Sequence, residues 1–102
     1  MKLNNKDILS VLYKAKEQFI TDKNLGNYLG GMCFYIRNSI YSIFNIRISY
    51  FEIKYIIPEF VPETFGLNEE YSSFWWNVYD VNSRINAFDK LIKIYKNKIN
   101  EI

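Results

Sequence analysis

Three stretches of the chain repeat apolar residues every three or four positions, the spacing that puts them on one side of a helix. The first runs from Lys6 to Thr21 and aligns Ile8, Val11, Leu12, Ala15 and Phe19, with Lys14, Lys16 and Glu17 off the stripe. Asn4 or Asn5 suits its N-cap, and Asp7 complements the positive end of the helix dipole. The second runs from Met32 to Phe44 and aligns Cys33, Ile36, Ile40, Ile43 and Phe44, flanked by Tyr35 and Tyr41. Thirteen residues without strict alternation favour helix there despite the β-branched content, and Cys33 then faces the core. The third follows Asp80, a good N-cap, with a stripe of Ile85, Phe88, Leu91, Ile92, Tyr95 and Ile99. Lys90, Lys93, Lys96 and Lys98 keep to its other sides and cluster toward the C-terminal end, where the dipole favours cations.

The intervening segments read less uniformly. Asp22 to Gly31 carries three glycines and two asparagines, which favour turns. It lacks the Gly-Lys-Ser/Thr of a phosphate loop and any preceding strand, so a connecting loop is the expectation, with Leu25, Tyr28 and Leu29 pinning it to the core. Asn45 to Ser49 alternates briefly and reads as an extended link. Ser49 and Glu52 then form a capping-box pattern that opens a short helix from Tyr50 to Ile56 or Ile57, stopped by Pro58. A strand placing Phe51, Ile53 and Tyr55 on one face stays open as the alternative. Pro62 and Glu63 resemble the start of a single helical turn and Gly66 its end, with Phe60 and Phe65 docking onto helices. Leu67 to Ser73 is expected to be loop. The fold class that follows is mainly α: one small domain over residues 1–102, with an aromatic, Pro-containing loop packed on the C-terminal helix.

Composition adds limits. A chain of 102 residues with 49% apolar and 19% aromatic content can bury one core without disulfides or metal. Part of the aromatic excess is compositional, because Ile, Lys, Asn, Tyr and Phe are what an AT-rich genome encodes most readily. A net charge of +2 argues against general nucleic-acid binding. The distribution is polar, with Glu59, Glu63, Glu69, Glu70 and Asp80 but no cation between Lys54 and Arg84, and then a lysine-rich end. Such a chain can pair with its own copy, so a homo-oligomer is expected. The alternative is that both stretches are simply solvated faces of one domain. The lone Cys33 suits a reducing interior, no window approaches the ~20 apolar residues of a membrane span, and the N-terminus enters an amphipathic pattern directly. A cytoplasmic protein that makes no membrane contact is expected.

The absence of histidine removes Ser-His-Asp and Cys-His catalysis and disfavours a zinc site built on one cysteine. Carboxylate pairs at Glu59/Glu63 and Glu69/Glu70 have no cleft to hold them, and a magnesium site from Glu69, Glu70 and Asp80 has no supporting motif. The expectation is a non-enzyme without cofactor. Binding is the better reading. Trp75, Trp76 and Tyr79 put flat surfaces beside Asp80 and Arg84, a combination suited to an interface hot spot or to a stacked base with a phosphate held by guanidinium. In the bland alternative the tryptophans plug and cover the core, and Asp80 pairs with Arg84 across one helical turn.

The segments Pro58-Glu-Phe-Val-Pro-Glu63, Phe74-Trp-Trp76, Asp80, Ser83-Arg-Ile85 and Phe88-Asp-Lys-Leu-Ile92 together resemble a group of short phage and prophage proteins with a Trp-Trp loop before a Ser-Arg-Ile helix. The likeness covers about the second half of the chain, and its motifs carry no known chemistry, so no catalytic residue transfers. It implies a small phage protein acting in a bacterial cytoplasm against a host antiviral defence system. Its partner would be a host protein to be blocked or a cyclic nucleotide-type signal to be sequestered.

Overall fold

The computed structural model describes residues 3–27, 29–66 and 81–100. These form a mainly α-helical domain, and no strand occurs among the described residues. Helix α1 spans Asn5–Asn24, α2 Met32–Phe44, α3 Ile53–Ile56 and α4 Val81–Asn100, with 3₁₀ turns at Tyr50–Glu52 and Pro62–Phe65. The first, second and fourth are the three helices that periodicity predicts. Among the described residues no helix is long and apolar enough to cross a membrane.

Helix α1 is the central element, packed against α2 on one side and α4 on the other. Its start is fixed by a reciprocal capping box. The Asp7 N–H donates to Asn4 Oδ1 at 2.8 Å, and the Asn4 N–H donates back to the Asp7 carboxylate at 3.3 Å. Its end lies three residues beyond the predicted one, because Asp22, Lys23 and Asn24 are still helical. A tertiary anchor overrides local turn propensity there: the Asp22 carboxylate accepts from Gln18 Nε2 at 3.1 Å and from the Tyr35 hydroxyl at 2.8 Å. Gly26, with φ 69°, then lets the chain leave the helix. Leu25 does not pin the loop as expected, being 68% exposed, whereas Leu29 packs partly against the core. Tyr28 lies outside the described residues.

Helix α2 has the predicted bounds and ends at Asn45, which adopts the left-handed conformation (φ 56°) while its N–H donates to the Tyr41 carbonyl at 2.8 Å. Its buried face is broader than the stripe suggested. Tyr35 is fully buried rather than flanking, and Ser39 joins it. Ile43, expected inside, sits exposed in the last turn. A helix face is covered only as far as its neighbours extend.

Past Asn45 the helical reading of residues 50–57 holds over the strand alternative, with a 3₁₀ turn leading into α3. The capping box is present, and the Ser49 N–H donates to Glu52 Oε1 at 2.9 Å. Ile53 and Ile57 are buried, while Phe51 and Tyr55 point outward. The Pro62 turn ends at Gly66 as expected, with φ 72° and an N–H donated to the Glu63 carbonyl at 3.1 Å. Phe60 is buried and Phe65 packs partly against the core. In α4, Phe88, Leu91, Ile92 and Tyr95 are buried and Lys90, Lys93 and Lys96 are exposed. Helices α1 and α4 run antiparallel, as seen from the ion pair of Lys16 with Asp89 and the placement of Lys96 over the Tyr13 ring at 5.6 Å.

Asn4→Ala removes the side-chain half of the α1 cap and is expected to lower the unfolding free energy by about 1 kcal/mol. Urea denaturation of the two proteins measures this, and coincident midpoints would show that the cap contributes nothing.

Candidate functional site

Of the five residues that the sequence singles out, Trp75, Trp76, Tyr79 and Asp80 lie outside the described residues, as do Glu69 and Glu70. Arg84 is described, and it is built into the frame. It stands in the first turn of α4, half-buried, where Nη1 donates to the Gly30 carbonyl at 2.8 Å. The guanidinium carbon lies 5.4 Å from the centre of the Phe19 ring, within cation–π range. Beneath it Tyr35 is enclosed by Phe19 and Phe34, each edge-on to it at 5.4 and 5.2 Å. Burial first, and then its hydrogen bond to Asp22, push the Tyr35 phenol up to about 12. It is therefore a neutral donor at physiological pH.

Other candidate chemistry is likewise absorbed. Burial raises the Cys33 thiol above the ordinary range, so it stays protonated, as suits the core position read from the sequence. The Glu59 carboxylate accepts from the Tyr95 hydroxyl and from Lys98 Nζ. Burial pushes its pKa upward, but the bonds from Lys98 and Tyr95 together outweigh that and leave it below the ordinary value. Glu59 thus ties the acidic middle of the chain to the basic end within one molecule, and Glu63 remains exposed apart from it. Among the described residues no three metal-ligating side chains gather.

What remains at the surface is a segment that sequence reasoning passed over. Between Met32 and Ile57 there are three cations, Arg37, Arg47 and Lys54, and one acid, Glu52. Each cation sits over a tyrosine: Arg37 over Tyr50 at 4.8 Å, Arg47 over Tyr41 at 4.5 Å, and Lys54 over Tyr55 at 5.6 Å. Arg37 Nε also donates to the Ile48 carbonyl at 2.6 Å, fastening the link after α2 to that helix. Between Tyr55 and Arg47 lies a groove of about 260 Å³, lined by Leu3, Ile40, Ile46, Ile48 and Ile56 and by the exposed Glu52. Tyr55 is 75% exposed and Phe51, one turn earlier, 61%. The local charge imbalance and the tyrosine spacing were readable signals, masked by the more conspicuous Trp-Trp pair. A second groove runs between α1 and α2.

Comparison with known proteins gives no match, whether to a protein-family model, a curated protein or a solved structure.

Arg84→Ala should cost roughly 2 kcal/mol of stability, as expected for a hydrogen bond from a charged donor to a partly buried acceptor. Thermal unfolding tests this, and an unchanged melting temperature would free Arg84 for a purely surface role. Glu59 supplies a pH signature. Because its folded pKa is depressed, its contribution is fully present above the ordinary glutamate range and lost as pH falls through that range to its folded value. Glu59→Gln should therefore flatten the acid side of the stability profile, and an unaltered profile would contradict the assignment.

Proposed function

We propose that the chain is a non-enzymatic binding protein that grips a protein partner through its tyrosine–arginine surface. The carrying observation is the exposure of Tyr55 and Phe51 beside the stacked Arg47–Tyr41 pair, at the rim of an apolar groove. Aromatic and arginine side chains are the residue types enriched in interface hot spots. Charge narrows the partner. Arg47 and Glu52 both line the groove and both stay charged, and with Lys54 two residues on the segment carries a net positive charge. The complementary face offers an aliphatic side chain for the groove and a carboxylate for Arg47. The phage resemblance supplies the setting, a bacterial cytoplasm in which the partner belongs to a host antiviral defence system. The packing of Arg84 against Gly30 and Phe19 favours a second reading for that residue alone, in which it serves the fold and not the interface.

Retention from bacterial lysate on wild-type protein and on Tyr55→Ala and Arg47→Ala variants tests the reading. A retained protein is then purified and titrated against all three. The expected result is one partner whose affinity falls at least about tenfold in each variant, the equivalent of ~1.4 kcal/mol. Equal affinity for folded variants, or no partner at all, overturns the proposal.

A further inference from the structure

We infer that the groove between α1 and α2 is a binding site for a nucleoside monophosphate. It encloses about 320 Å³ and is lined by Lys14, Gln18 and Asp22 from α1 and by Phe34, Tyr35, Asn38, Ser39 and Ser42 from α2. That volume lies at the lower end of the ~300–1,000 Å³ range of small-molecule sites. The two helices run antiparallel, with Tyr35 near the start of α2 bonded to Asp22 near the end of α1, so the lining residues fall in a fixed order along the groove. Lys14 and Asp22 are eight residues apart on one helix, a span of about 12 Å at ~1.5 Å per residue.

At one end stands an aromatic wall. Phe34 is 42% exposed, yet its ring is held against the backbone of Gly30, where an added Cβ would come within 2.8 Å of it. Tyr35 meets it edge-on from below at 5.2 Å. A flat ring fixed on one side and open on the other is a stacking platform for a base. Beside it, the Asp22 carboxylate takes the Tyr35 hydroxyl and one Gln18 N–H, and its remaining lone pairs can accept from a base amino group. The amides of Gln18 and Asn38 come next, carrying both donors and acceptors for a base edge or a sugar. Ser39 is the one polar side chain buried in the described core, at 3% exposure, and it lies in the wall of this groove. The far end holds Lys14 and Ser42, both exposed, a cation and a hydroxyl suited to a phosphate. Asp22, the one anion of the lining, is at the opposite end. Platform, edge readers and cation thus follow in the order base, sugar, phosphate.

This site is separate from the tyrosine–arginine surface, so each can fail alone. Isothermal titration of the full chain with AMP, GMP, CMP and UMP, and with adenosine and inorganic phosphate as the separated halves, tests it. At least one nucleotide should bind more tightly than either half. Lys14→Ala should weaken it about tenfold or more, as loss of a charge-assisted contact does, without affecting adenosine. Phe34→Ala should weaken both nucleotide and nucleoside, whereas Tyr55→Ala should change neither. All three positions are exposed, and circular dichroism of each variant checks that it folds. No binding of any nucleotide at millimolar concentration overturns the inference, as does binding that both Lys14→Ala and Phe34→Ala leave intact.

Discussion

The structure depends on the burial of one aromatic ring. Phe19 is the point where α1, α2 and α4 meet: Tyr35 stands edge-on to it at 5.4 Å, Phe88 tilts against it at 6.1 Å, and the Arg84 guanidinium lies over its face. Fully burying a phenylalanine contributes about 1.5–3 kcal/mol, and aromatic pairing adds ~0.5–1.5 kcal/mol for each contact. Against the ~5–15 kcal/mol of net stability usual for a domain, this junction is a large share. Around it Val11, Leu12, Ala15, Ile36, Ile40 and Leu91 extend one continuous core. The second half of the chain is held to the first by the same contacts, since α1 supplies the surface on which both α2 and α4 pack.

This junction dictates where chemistry can reside. The core takes up Tyr35, Tyr95 and Cys33, and the Glu59 carboxylate is tied to Tyr95 and Lys98 at its edge. The raised phenols of Tyr35 and Tyr95 and the raised thiol of Cys33 share one leading cause, desolvation, which favours their neutral forms. Among the described residues, two peripheral surfaces stand out. One is the row of cation-capped tyrosines along the α2–α3 segment. The other is the polar seam between α1 and α2, where amides and hydroxyls face each other across a gap.

Much of the architecture was legible because its signals are local. The Ser49–Glu52 pair is a capping box in sequence and in structure, and Pro62 to Gly66 makes the single turn its residues specify. The bounds of α2 follow from Gly31 before it and Asn45 after it. What failed needed a partner that periodicity cannot name. Tyr35 is buried because Phe19 and Asp22 are there to receive its ring and its hydroxyl, and the same bond carries α1 three residues past its expected end. Leu25 was assigned to the core on residue type, yet the turn made by Gly26 leaves it in solvent. For the site, Arg84 was identifiable as special but not as structural, since nothing local announces the Gly30 carbonyl that it holds from 54 residues away.

Gly30 joins the start of α4 to the groove between α1 and α2. Its carbonyl is held by Arg84, and its missing side chain is the space in which the Phe34 ring rests. Arg84 stands at the start of α4, directly after the stretch that carries the Trp-Trp pair. The residue that sequence reasoning assigned to binding and the groove that the structure offers for binding are therefore joined through one glycine. Arg84, Gly30 and Phe34 thus tie the first turn of α4 to the wall of the groove between α1 and α2.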